Sequence, residues 1–263
     1  MRTVLVTGAS SGIGLATARL LADRGYRVLG TSRDPGRIES PLPGVDYLAL
    51  DLGDRDSIRA CAEAAGAVDV LVNNAGESQS GPLEELPLDA IDRLFQLNVF
   101  GPVQLTQLVL PGMRERRSGR VVMVGSMLAS FPLAFRSSYV ASKAAIKGFA
   151  DSARVEVAPY GIGITTVEPG SINTGISERR TKYLAEDSTY ADRFRTMLRA
   201  LDGNERKGIS AEKVAATILR AIEDTRPRRL YAVGSSAPLA FALKRALPRE
   251  VSEKVVARRH GLS

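Results

Sequence analysis

Apolar residues gather in short runs along this chain, with polar, helix-spaced segments between them. Runs rich in Val, Leu and Ile fall at 3–7, 27–31, 46–50, 69–72, 120–125, 163–167 and 229–232. Near-continuous apolar runs of this length predict strands buried on both faces, as in a parallel sheet. Apolar positions at helical spacing predict helices near 12–24, 54–65, 88–116, 137–160 and 210–224. Strand and helix therefore alternate along most of the chain. The expected class is α/β, a single-domain doubly wound parallel sheet of about seven strands with helices on both faces. No low-complexity linker or internal repeat divides the 263 residues.

Two regions break the alternation. Residues 174–209 are polar and charged, with no clear strand. They follow the sixth predicted strand, on the side where such sheets bind ligands, and are expected to form a substrate lid. Residues 236–263 place apolar residues at helical intervals beside many Lys and Arg. This C-terminal extension is expected to be a docked amphipathic helix or an oligomer contact.

Composition narrows the chemistry. Hydrophobic residues make up 44% and charged residues 25%, which suits a soluble globular domain. The single cysteine, Cys61, excludes a disulfide framework and a Cys-rich metal site. The single histidine, His260, lies in the basic tail, where a frayed end is expected. A Ser-His-Asp triad or a His-ligated zinc is thus not expected, and no metal is. The N-terminus lacks a signal peptide's long apolar region. The longest uncharged stretch, 95–113, contains Asn98, Pro102, Gln104, Gln107 and Pro111, so a buried or interface helix is expected rather than a membrane span. A cytoplasmic protein follows. The net charge of +7 is concentrated near 114–120, 226–229 and the tail. Few aromatics interleave these clusters and no nucleic-acid motif matches, so solvated faces are expected and no nucleic acid partner. The basic tail is also a candidate for peripheral membrane contact.

The candidate chemistry begins at Thr7-Gly-Ala-Ser-Ser-Gly-Ile-Gly14, between the first strand and first helix. Gly8 suits a tight turn, Gly12 a close backbone approach to a pyrophosphate, and Gly14 tight helix–sheet packing. The helix start adds free N–H groups and a positive dipole end. The second strand ends Gly30-Thr-Ser-Arg33. A site selecting NAD places Asp or Glu about 20 residues past the glycines. Ser32 and Arg33 instead suit a 2′-phosphate, so NADP(H) is expected over NAD(H). Asp51 is a candidate for the adenine amino group, or simply caps the following segment. Tyr139 and Lys143 lie four apart, one above the other on a helix. A phenol titrates near ~10, and a neighbouring ammonium favours the phenolate, which suits the pair to general acid–base work.

In order, the chain carries Thr7-Gly-(x)3-Gly12-x-Gly14, Asp51-Leu52, Asn73-Asn-Ala-Gly76, Asn98, Ser126, Tyr139-(x)3-Lys143 and Pro169-Gly170. Over about residues 1–233 it resembles the short-chain dehydrogenases/reductases, whose fold is the Rossmann type. Residues 81–85, 124–126 and 167–170 resemble most the branch of 17β-hydroxysteroid and retinol dehydrogenases.

The resemblance implies four catalytic positions. Tyr139 protonates a carbonyl oxygen or takes an alcohol proton; Lys143 lowers the tyrosine pKa and holds the nicotinamide ribose hydroxyls. Ser126, thirteen residues before Tyr139, hydrogen-bonds the substrate oxygen. Asn98 distorts its helix and binds a water linking Lys143 to solvent. Ser10, Ser11 and Ile13 would line the diphosphate, with Leu52, Asn74, Ala75 and Gly76 also against the cofactor. Pro169, Gly170, Ile172 and Thr174 would meet its nicotinamide and phosphate ends. The plainer readings make Ser126, Asn73 and Asn74 turn residues, and Asn98 a buried group satisfying backbone.

Pocket walls are expected at 77–81, 127–136 and 171–205. Leu128, Phe131, Leu133 and Phe135 there suggest an apolar substrate such as a steroid, retinoid or other lipid-like carbonyl. A homodimer or homotetramer through 88–116 and 137–160 is implied. The alternative is a catalytically silent NADP(H)-sensing or scaffolding protein on the same fold. A serine hydrolase does not fit, because Gly125-Ser126-Met127 lacks the surrounding glycines of a nucleophile elbow.

Overall fold

A computed structural model of the protein describes residues 1–246 and 248–262. Leu247 and Ser263, both in the predicted C-terminal extension, lie outside the described residues. So do the side chains of Ile176 and Ser177 in the predicted lid, and of Arg249.

The first half of the chain runs β1 (Thr3–Val6), α1 (Gly12–Asp23), β2 (Arg27–Ser32), β3 (Val45–Ala49), α2 (Arg55–Ala65), β4 (Val70–Asn73), β5 (Gln79–Ser80), α3 (Leu88–Phe95), α4 (Gly101–Glu115) and β6 (Gly119–Val124). It continues α5 (Ser137–Val157), β7 (Ile162–Pro169), α6 (Ile176–Arg179), β8 (Thr181–Lys182), α7 (Ala191–Arg206), α8 (Ala211–Glu223), β9 (Leu230–Val233), α9 (Ala237–Ala246) and α10 (Arg249–Arg259).

All seven predicted strands join one parallel sheet in the order β3-β2-β1-β4-β6-β7-β9. Successive side chains of a strand point to opposite faces, and β1 shows the result. Val4 and Val6 pack with Ala18 and Leu21 of α1 and Ile218 and Ile222 of α8. Leu5 faces the other way, with Ile58, Leu105 and Ile146 of α2, α4 and α5. Full burial of each such side chain contributes about 1.5–3 kcal/mol, so these two layers hold the sheet rigid. The strand order reverses between β1 and β4, which opens a crevice at the C-terminal ends of the strands.

The helix expected over 88–116 runs without interruption from Leu88 to Glu115, though not as one regular α-helix. Between α3 and α4 the backbone makes a π-turn at Gln96–Phe100. Gly101 there lies so close to Leu52 that a Cβ would sit 2.8 Å from its carbonyl oxygen. The helix expected over 137–160 stops at Val157, where Pro159 and the left-handed Gly161 (φ +72°) turn the chain.

The region 174–209 differs most from expectation. It contains β8, which pairs in parallel with β5 through Gln79–Thr181 and Ser80–Lys182. It also contains α7, which buries Phe194, Met197 and Leu201 against Leu133.

Candidate active site

A cavity of about 950 Å³ runs along the crevice, from Gly8 and Arg33 at one end to Leu239 and Val255 at the other. Its first wall is built by the ends of β1 and β4. Gly8 (φ +67°) and Gly12 (φ +54°) take backbone conformations that favour glycine. A Cβ on Gly14 would sit 2.1 Å from the Gly8 carbonyl oxygen. The Thr7 hydroxyl oxygen accepts from the Asn74 and Ala75 N–H groups, at 2.9 Å each. Asn74 Nδ2 donates back to the Thr7 carbonyl at 2.9 Å. The N-cap of α1, Ser11, makes no side-chain cap, so the helix start turns its N–H groups to the cavity. Positive-φ glycines, an uncapped helix start and a long crevice fit the diphosphate of a dinucleotide.

Most of the expected cofactor residues line this cavity: Gly8, Ser10, Ser11, Gly12, Ile13, Ser32, Arg33, Asp51, Leu52, Asn74, Ala75, Gly76, Pro169, Gly170, Ile172 and Thr174. Gly14 supports the turn from behind. The Ser32 hydroxyl is engaged with the Asp34 backbone, whereas Arg33 is exposed and enters no ion pair among the described residues. Asp51 Oδ1 accepts from the Gly53 N–H at 2.8 Å, so it holds the turn before α2 while facing the cavity. Asn73 points away, into the core, and donates to Thr106 Oγ1 at 3.0 Å.

Tyr139 and Lys143 come from the first turns of α5 and are 8% and 7% exposed. Lys143 Nζ donates to the Val124 carbonyl at 3.1 Å and lies 5.9 Å from the Tyr139 ring centroid. Ser126, at the end of β6, accepts from the Leu128 N–H at 3.1 Å and caps a short turn over Met127–Ala129. Ser126, Tyr139 and Lys143 all line the cavity. Asn98 is buried behind Gly76. Its Oδ1 accepts from the Glu77 N–H at 2.8 Å, and its Nδ2 donates to Glu77 O at 3.0 Å and Ser142 Oγ at 3.1 Å. Ser142 in turn donates to the Tyr139 carbonyl at 2.9 Å. The π-turn thus puts Asn98 where one amide ties the loop after β4 to α5.

The second wall departs from the sequence-based picture. Leu128 and Phe131 face the cavity, but Leu133 and Phe135 do not. Leu133 packs on Phe194 and Met197, and the Phe135 ring (φ +63°) meets Tyr190 and Phe194 edge-on. These two anchor the 174–209 segment. The C-terminal extension, expected as a docked amphipathic helix or an oligomer contact, is two helices that supply cavity residues Leu239, Leu243, Val255 and Val256. Lys244 Nζ donates to the Ser130 carbonyl, and Phe131 packs edge-on against Phe241 at 5.2 Å. His260 is buried rather than frayed; burial holds its imidazole below the usual range, and Nδ1 lies 2.8 Å from Val256 O.

Two arginines within the expected pocket walls have no individual role in the sequence-based picture. Arg179 reaches across from α6 and donates to Ser11 Oγ at 3.0 Å. Arg136 is buried against Tyr139, its guanidinium 4.2 Å from the ring centroid. Beside it, the fully buried Arg180 pairs with Asp202 at 2.6 Å and Glu205 at 2.5 Å. Burial pushes the Glu205 carboxyl up, against the pull of Arg180. A basic residue before a helix is a weak signal alone, but its spacing of three from Tyr139 is visible in the sequence.

A dinucleotide crevice that continues into a Ser-Tyr-Lys cluster is the arrangement of a nicotinamide-dependent oxidoreductase. Comparison with known proteins agrees. Residues 2–184 match the model of the short chain dehydrogenase family, and the chain belongs to that family. A 3-ketodihydrosphingosine reductase of Bacteroides thetaiotaomicron is 33% identical over 245 residues, covering 91% of this chain and 90% of the relative. Retinol dehydrogenase 8 of Bos taurus is 36% identical over 252 residues, covering 86% and 79%. A solved short-chain dehydrogenase from Streptomyces avermitilis is 34% identical, with a TM-score of 0.84 over 98% of each chain.

Proposed function

We propose that the protein is an NADP(H)-preferring oxidoreductase that interconverts a ketone or aldehyde and its alcohol on an apolar, lipid-like substrate, with Tyr139 as general acid/base. The observation that carries this is one cavity with the glycine turn at one end and Ser126, Tyr139 and Lys143 together farther along it. The cofactor, when bound, supplies or takes up the hydride. Gly8, Ser10, Ser11, Gly12 and Ile13 would hold its diphosphate, and Arg33 with Ser32 its 2′-phosphate. Arg33 enters no ion pair among the described residues, and the neighbouring Asp34 pairs with Arg37 at 3.0 Å.

Ser126 holds the reacting oxygen beside Tyr139, where its hydroxyl supports the charge that develops there. Tyr139 gives its proton to that oxygen in reduction and recovers it in oxidation. Lys143, fixed by the Val124 carbonyl, is placed to meet the ribose and supports the charge left on Tyr139. Asn98 keeps Lys143 and the loop after β4 in register, with a water linking Lys143 to solvent.

An apolar substrate is supported by Leu128, Phe131, Leu239, Leu243, Val255 and Val256 on the far wall. Two relatives, a 3-ketodihydrosphingosine reductase and retinol dehydrogenase 8, point the same way. The 174–209 segment acts as a lid, braced internally by Arg180 with Asp202 and Glu205 and anchored on Leu133 and Phe135. A homodimer or homotetramer through α4 and α5 is supported by the exposed Leu108, Phe149 and Val155. No helix among the described residues is long and apolar enough to cross a membrane, which accords with a cytoplasmic enzyme.

A panel of ketones and aldehydes, from short to long-chain, tests this by NADPH absorbance at fixed enzyme. Turnover should rise with chain length and be lower with NADH than with NADPH. Tight cofactor binding with no turnover of any carbonyl or alcohol would instead establish the silent sensor.

A further inference from the structure

Arg136 is 3% exposed, and no carboxylate lies within ion-pair distance of it among the described residues. Its Nη1 donates to Ser78 Oγ at 3.0 Å, Gln79 O at 2.9 Å and Ser80 Oγ at 3.0 Å. These acceptors are neutral, so they orient the guanidinium without cancelling its charge. Burial lowers its pKa to about 10, which leaves it a cation at neutral pH. The charges that act on it are those of Tyr139 when ionised, of Arg180, and of Asp202 and Glu205 of α7. Both carboxylates are bound to Arg180, and burial pushes Glu205 toward its neutral form. A desolvated cation is costly unless negative charge comes near it. The group in closest aromatic contact, the Tyr139 ring at 4.2 Å, is also one that can acquire that charge.

We propose that Arg136 is a positioning residue for Tyr139, a second cation that fixes the ring from its face and stabilises the negative charge its oxygen takes up when the proton leaves. Arg136 and Tyr139 lie three apart, so the start of α5 stacks them on one face, as it stacks Lys143 one turn farther on. Lys143 is the more distant cation at 5.9 Å from the same centroid. The two share the task from opposite directions along the helix. This rests on the reading of Tyr139 as the acid/base.

The test is the pH dependence of kcat/KM for alcohol oxidation, where Tyr139 must be deprotonated and the rate climbs with pH. Arg136→Gln removes the charge but keeps an N–H donor for Ser78 and Ser80. Arg136→Met also removes it, keeping only the stem on the ring. Arg136→Lys keeps the charge and loses the fork. Removing the cation disfavours the deprotonated form, so the climb should move about one pH unit higher in Gln and Met. That is about a tenfold loss below the climb, recovered above it. Lys should retain the wild-type position, and NADPH fluorescence titration should show the cofactor site intact in each. A uniform loss at every pH, with the climb unmoved in Gln and Met, would overturn the proposal and leave Arg136 a packing residue. Tyr139→Phe run alongside separates the two readings: full activity there would remove Tyr139 itself and the proposal with it.

Discussion

The two walls of the cavity are built by different physics. On the cofactor wall, Thr7 after β1 and Asn74 and Ala75 after β4 interlock through bonds that each pair one side chain with one backbone group. On the substrate wall, distant side chains meet: Arg180 with Asp202 and Glu205, Lys244 with Ser130, Phe131 with Phe241. The first wall joins strand ends 67 residues apart in sequence that the parallel sheet holds side by side. The second is held by side-chain contacts outside the sheet, from 22 and 25 residues apart at Arg180 to 114 at Lys244. A family can therefore keep the first wall and change the second, which is where substrate choice resides.

The difference can be broken from either side. Among the substitutions that separate the two walls, the largest effect is expected at Arg180→Met, which strands Asp202 and Glu205 inside the substrate wall. Losing one partner of a buried ion pair costs about 3 kcal/mol, read as a lower urea midpoint. Turnover should fall about 100-fold, with NADPH affinity within about threefold, because the cofactor wall does not depend on that contact. An equal collapse of cofactor binding would show the walls to be one unit. On the cofactor wall, Arg33→Ala should raise the NADPH dissociation constant about 30-fold and that of NADH less than about twofold. Parallel losses would show that Arg33 does not read a 2′-phosphate. Arg179→Ala sharpens the contrast with a smaller effect. Its guanidinium sits at Ser11, beside the diphosphate end, so both cofactors should weaken about fivefold in the same titration. A loss confined to NADPH would move Arg179 to the 2′-phosphate instead.

The same contrast explains what the sequence disclosed. Gly8, Gly12 and Gly14 act within one turn, and Tyr139 and Lys143 within one helix, so their spacing carries their geometry. The seven apolar runs locate the sheet because burial on both faces leaves a mark on each strand by itself. Arg179 and Arg180 are identical neighbours, yet one faces the crevice at Ser11 and the other is buried against α7. Nothing local distinguishes them; the surroundings come from α7. Arg136 is likewise readable as a basic residue before a helix, but that no carboxylate among the described residues comes within ion-pair distance of it is a tertiary fact. Helix α7 was legible in principle, since Phe194, Met197, Leu198 and Leu201 follow helical spacing amid the charges. The return of the C-terminal helices to the cavity, with His260 buried, depends on contacts such as Lys244–Ser130 that no periodicity encodes.

The central claim is that Tyr139 moves the proton in a cavity that also holds the hydride cofactor. It is tested most directly by a single-turnover experiment in which NADPH-loaded enzyme is mixed with a reactive aldehyde and followed at 340 nm. The wild type should consume its bound NADPH in one exponential. Tyr139→Phe should bind NADPH within about twofold of wild type and consume it about 1,000-fold more slowly. Equal rates in the two proteins would contradict the account.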